Sequence, residues 1–129
     1  MVFLDIPDWA EAMKACVGAL AVGGLLVFSI THPCFEQLGS PWREHGEHRT
    51  RQYFAEYEIA ERYGFNFHRP FSAYFNQLAR LGCHLREVAE PALDPEIAAA
   101  AGPGAEVCVH LPNFLVVAAE RSKVNLRDS

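Results

Sequence analysis

The chain has 129 residues, half of them hydrophobic and 21% charged, with a formal net charge of −5. That length builds one domain around one core and not two. The composition excludes a disordered chain. The 11 scattered Lys and Arg offer neither a phosphate-binding face nor a basic run for an anionic membrane, so nucleic acid and membrane are not expected partners.

The first residues, MVFLDIPDW, carry acids early and no basic leader, so no signal peptide is expected. The apolar run 15–30 is short for a bilayer, and Gly23-Gly24 interrupts it. Cys16, Cys34, Cys83 and Cys108 contain no CxxC spacing. Three of them sit among apolar neighbours, so reduced thiols in a cytoplasmic protein are expected.

In chain order, Asp8 with Glu11 fits a capping box opening a helix over 8–20. Its apolar face would be Trp9, Met13, Cys16, Val17 and Leu20. Gly23-Gly24 supplies the stop. Leu25–Ile30 reads as a strand covered on both faces, ended by Pro33. Residues 36–68 form an aromatic insertion, either a lid or an interface. Its part from Ser40 to Arg51 reads as a polar loop, and 52–62 stays open between helix and strand. Phe65 and Phe67 alternate as in a strand.

Pro70 fits the first position of the clearest helix, whose buried stripe is Phe71, Tyr74, Phe75, Leu78 and Leu81. Gly82 ends it. Cys83–Glu90 reads as a strand near a sheet edge, closed by Pro91. Asp94-Pro95 caps one short turn of Ala-rich helix, and Gly102-Pro103-Gly104 is a loop. Asn113–Glu120 is a second buried strand, and 121–129 is a polar tail. The order is α/β. The connection between the last two strands is too short for a parallel crossover, so they are expected to be antiparallel neighbours.

Three segments, "LDIPDWAEAMKACVGALAVGGLLVFSITHPCF", "FHRPFSAYFNQLARLGCHLREVAEPAL" and "PNFLVVAAER", resemble the C-terminal half of class I S-adenosylmethionine-dependent methyltransferases of the type 11 group. The resemblance covers 3–121. It implies the C-terminal part of a Rossmann-like sheet with flanking helices. Val2–Leu4 would end the fourth strand, and Leu25–Ile30, Cys83–Glu90 and Asn113–Glu120 would be the fifth, sixth and seventh. The last two would form an antiparallel hairpin.

The same resemblance implies transfer of a methyl group from S-adenosylmethionine to a small-molecule acceptor. It also implies a departure. The Gly-rich cofactor loop has no counterpart, because Gly23-Gly24 precedes a strand instead of following one. A chain starting at Met1 would begin where four strands should already stand. The isolated chain is therefore expected to be inactive and to bind S-adenosylmethionine weakly or not at all. Non-catalytic binding or dimerisation is the alternative. With its fourth strand reduced, the fifth becomes an apolar edge, so the chain is expected to meet an N-terminal cofactor-binding half or to form a homodimer, made through that edge, through the exposed helix Asp8–Leu20 or through a swapped aromatic insertion.

Ligands bind beyond the carboxyl ends of strands in open α/β sheets. The resemblance places Leu4, Asp5 and Ile6 at the cofactor, and Thr31, Pro33, Tyr53, Tyr57, Phe67 and Arg69 at the acceptor. Methyl transfer needs alignment and exclusion of water, with a base where the acceptor must lose a proton. His32 and His68 are the candidate bases, since imidazole titrates near neutral pH. The plainer readings are a His32 bonded to backbone and a structural His68, with Arg69 on a local carboxylate. His45 and His48 stand beside Glu44 and Glu47 at metal-like spacing, but Gly46 and polar flanks favour a solvated loop and no metal site is expected.

Overall fold

The computed structural model describes residues 3, 6–36, 40–61 and 64–122. In chain order the elements are α1 (Trp9–Gly18), β1 (Leu25–Thr31), α2 (Ser40–His45), β2 (Tyr57–Glu61), β3 (Gly64–His68), α3 (Phe71–Arg80), β4 (Cys83–Ala89), α4 (Pro95–Ala101), α5 (Val107–His110) and β5 (Phe114–Arg121). A short 3-10 turn, Pro103–Ala105, separates α4 from α5.

Three strands form one sheet in the order β1-β5-β4, with both pairings antiparallel. β1 and β4 therefore run parallel to each other on either side of a reversed β5. The antiparallel β4–β5 pair is as expected, and β4 lies at an edge. Its connection to β5 holds more helix than one turn. These pieces fold on themselves: Leu93 N–H donates to the Cys108 carbonyl at 2.9 Å, and the chain re-enters at the end it left. Asp94 caps α4 as expected, its Oδ1 accepting from Glu96 N–H at 2.8 Å.

One face of the sheet is packed. Leu26, Phe28 and Ile30 of β1 stand opposite Ala119, Val117 and Leu115 of β5. Met13 and Val17 of α1 and Tyr74 and Leu78 of α3 close over them. The other face is open, since Leu25 is 47% and Val27 60% exposed. β1 is thus covered on one face and not on two, because α1 and α3 lie on the same side. Among the described residues its outer edge is unpaired.

Several local expectations need correction. Asp8 precedes α1 but makes no side-chain cap bond. Cys16 faces solvent. α1 ends at Gly18, before the glycine pair, where the Arg121 guanidinium donates to the carbonyls of Val17 and Leu20. A cation on the free carbonyls of a helix end is favourable. Gly23 and Gly24 instead make the turn into β1: Gly23 has φ +83°, and a Cβ on Gly24 would meet the Ala21 carbonyl oxygen at 2.8 Å. Ser40–His45 is a short helix within the stretch expected to be loop. Pro70 is the residue before α3 and not its first.

The insertion resolves into a two-stranded antiparallel hairpin, β2–β3, separate from the main sheet. Phe3 is the one described residue of 2–4. It is helical, outside the sheet, and its ring meets Phe28 edge-on at 5.2 Å. The expected strand end at Val2–Leu4 otherwise lies outside the described residues, as does the tail from 123.

Candidate functional site

The site grows from where β1 stops. Thr31 pairs with Phe114, and His32 N–H closes the ladder on the Asn113 carbonyl at 2.9 Å. Pro33 cannot continue it. The chain turns, with Phe35 N–H on the His32 carbonyl, and brings Cys34 N–H back to His32 Nδ1 at 3.2 Å. An amide donating to Nδ1 puts the ring's hydrogen on Nε2. That hydrogen donates to Glu90 Oε2 at 2.6 Å. His32 is buried and both ring nitrogens are engaged. The parallel course of β1 and β4 makes this contact possible, because it sets their carboxyl ends at one edge.

His68, at the end of β3, is 1% exposed. Its Nε2 lies 2.8 Å from the Tyr53 carbonyl, an acceptor only, so Nε2 carries hydrogen. Nδ1 lies 2.7 Å from both oxygens of Glu36. One proton is shared across that gap, as imidazolium against carboxylate or imidazole against carboxylic acid. Burial pushes the Glu36 carboxyl up, against the pull of hydrogen bonds from His68 and Tyr57. Burial and the nearby Glu36 charge raise Tyr57. The Tyr57 ring stacks on His68 at 4.6 Å.

Tyr53 clamps the same corner: its carbonyl takes His68, and its hydroxyl accepts from Phe71 N–H at 3.0 Å, at the start of α3. The Phe71 ring meets His32 at 4.9 Å. The two candidate histidines are thus joined by one chain of rings, His32, Phe71, Tyr53 and His68.

Arg69 works on backbone, not on a local carboxylate. Nη1 donates to the Phe3 carbonyl and Nη2 to the Ile6 carbonyl, each at 2.7 Å, and Nη1 also reaches the Tyr74 hydroxyl at 3.3 Å. The guanidinium is sandwiched between Trp9 at 5.3 Å and Phe67 at 5.1 Å. It is buried and fixes the segment leading into α1.

Two cavities flank the hairpin. One of about 190 Å³ is lined by Pro33, Glu36, His48, Arg51 and Tyr57 among others. The second, about 270 Å³, touches Trp9, Tyr57, Phe67, His68 and Arg69. A third, about 580 Å³, lies between α4 and α5 and holds none of these side chains. Of the residues assigned to the acceptor, Pro33, Tyr57, Phe67 and Arg69 line these two cavities, and Thr31 and Tyr53 line neither.

Of the three assigned to the cofactor, Leu4 and Asp5 lie outside the described residues, and the Ile6 carbonyl is taken by Arg69. Among the described residues no glycine-rich strand-to-helix turn occurs. His45 pairs loosely with Glu44 at 3.6 Å, while His48 packs on Phe35. Among the described residues no three His, Cys, Asp or Glu converge as metal ligands.

Sequence reasoning missed Glu36 and Glu90. Both follow a strand's carboxyl end, Glu36 four residues after His32 and Glu90 directly after β4. That position was the available signal.

No protein-family model and no curated protein matches this chain. Solved structures do. An S-adenosylmethionine-dependent methyltransferase from Mesorhizobium loti superposes over 94% of this chain with a TM-score of 0.72 at 23% identity. A structure from Listeria monocytogenes assigned to the same class superposes over 92% with a TM-score of 0.68 at 20% identity. The fold is that of S-adenosylmethionine-dependent methyltransferases. The chain spans 58% and 57% of those two proteins' lengths. Among its described residues no helix is long and apolar enough to cross a membrane.

Proposed function

We propose that this chain is the acceptor-side, C-terminal half of an S-adenosylmethionine-dependent methyltransferase acting on a small molecule. The observation that carries this reading is the reversed β5 between parallel β1 and β4, superposable on two proteins of that class. β1, β4 and β5 take the places of the fifth, sixth and seventh strands. When bound, S-adenosylmethionine supplies the methyl group. This chain's residues hold the acceptor, exclude water with the hairpin, and keep a proton acceptor at the Glu36–His68 pair. His32, bonded on both nitrogens, fixes the loop that carries Pro33. Thr31, Tyr53, Phe67 and Arg69 shape the acceptor wall from behind, and Tyr57 and Pro33 face the cavity.

The edge of β1, unpaired among the described residues and with Leu25 and Val27 exposed beside it, takes the strands of a cofactor-binding half. Both structural neighbours carry further chain with no counterpart here, which supports this occupant. Without that half, a second copy of the chain takes the edge. The isolated chain is inactive. The test is co-expression with the polypeptide encoded immediately upstream, assayed for release of S-adenosylhomocysteine over small hydroxylated and amino acceptors. Turnover by the pair and not by the chain alone is expected. Turnover by the chain alone would contradict the reading.

A further inference from the structure

The 190 Å³ cavity has a chemistry that narrows its ligand. Glu36 forms its inner wall, with only 9% of its side chain exposed. A carboxylate offers about four lone-pair positions. His68 Nδ1 lies 2.7 Å from both carboxylate oxygens and takes one position, so Glu36 can accept from a further donor on the cavity side. Arg49 and Arg51 are also among the residues that line the cavity. Arg49 is neutralised by Glu47 at 2.9 Å. Arg51 has no ion pair among the described residues. The remaining imidazole, His48, is pushed down by burial and adds little positive charge. The lining of this cavity therefore combines a buried acceptor, Glu36, with an exposed cationic residue, Arg51. An empty apolar cavity of about 150 Å³ admits a benzene ring, so this volume holds one ring with small substituents.

We propose that this cavity binds a small hydroxylated carboxylate, with its hydroxyl donating to Glu36 and its carboxylate on Arg51. The assignment deepens the acceptor-side reading and rests on it for the hydroxyl's fate. There the hydroxyl is the group to be methylated, and Glu36 is placed to hold its proton. The ligand class itself stands on the cavity alone.

Calorimetric titration of the chain with para-hydroxybenzoate, benzoate and phenol tests it. The para-hydroxybenzoate should bind, and each of the two analogues should bind about tenfold more weakly or worse, because each loses one charge-assisted hydrogen bond. That comparison uses the unchanged chain and needs no variant to fold. Arg51→Ala should reduce para-hydroxybenzoate to the level of phenol and leave phenol unaffected. Equal binding of all three probes, or no binding of para-hydroxybenzoate at millimolar concentration, overturns the proposal. Hydroxyl-dependent binding without methyl transfer by the co-expressed pair would keep the cavity and retire the methyltransferase reading. Turnover by that pair unaffected by Arg51→Ala would do the reverse.

Discussion

Arg69→Met is expected to destabilise the fold by about 2–4 kcal/mol, read as a lowered urea midpoint at unchanged slope. The loss comes from what the guanidinium leaves behind. The Phe3 and Ile6 carbonyls each accept from it at 2.7 Å in a buried place, and no substitution at 69 can remove those carbonyls. A buried ion pair replaced whole by apolar groups can be neutral. That does not apply here, because the partners are main chain. Relief from desolvating the guanidinium offsets part of the cost and sets the lower end of the range. Arg69→Lys should recover only part of the loss. A single ammonium cannot reproduce the fork that reaches two carbonyls, nor stack as a plane between Trp9 and Phe67.

His68→Ala is the second large effect, about 2–4 kcal/mol at neutral pH. It leaves Glu36 buried without its main partner. The value lies toward the low side for a buried pair because Glu36 keeps 9% of its side chain in water. The cost should depend on pH in a defined direction. Burial already holds the Glu36 carboxyl above its ordinary value of 4.5, and the pull of His68 opposes that rise. Removing His68 lets it rise further. A carboxyl raised in the folded state contributes stability that is whole below the unfolded value. That contribution is lost as pH climbs through the folded value. The deficit of His68→Ala relative to the parent should therefore be small in mild acid and grow toward neutral pH. Denaturant titrations of both chains across that window check it. A deficit that stays flat or shrinks with rising pH would remove Glu36 from the explanation.

The sheet was legible because its strands are short apolar runs stopped by Pro and Gly. Leu25–Thr31, Cys83–Ala89 and Phe114–Arg121 came within a residue of expectation. The hairpin was less so. Its alternation showed in Phe65 and Phe67, but Tyr57–Glu61 mixes charge and apolar groups too evenly for either period to dominate. α2 hid in a polar, His-rich stretch with no apolar stripe to mark it. In the site, the histidines were visible as residue types and the carboxylates that define their roles were not. Glu90 reaches His32 across 58 positions and Glu36 reaches His68 across 32, both through tertiary folding that local pattern does not record. Arg69 was visible as a charge. Its partners are carbonyls, which every residue carries and no sequence pattern distinguishes.

The most direct test of the central claim is calorimetric titration of the purified chain with S-adenosylhomocysteine, with light scattering on the same sample. The account predicts no saturable binding and a mass of two chains joined through the β1 edge. Saturable binding at micromolar strength would contradict it, because this chain would then build a cofactor site without the half assigned to that task.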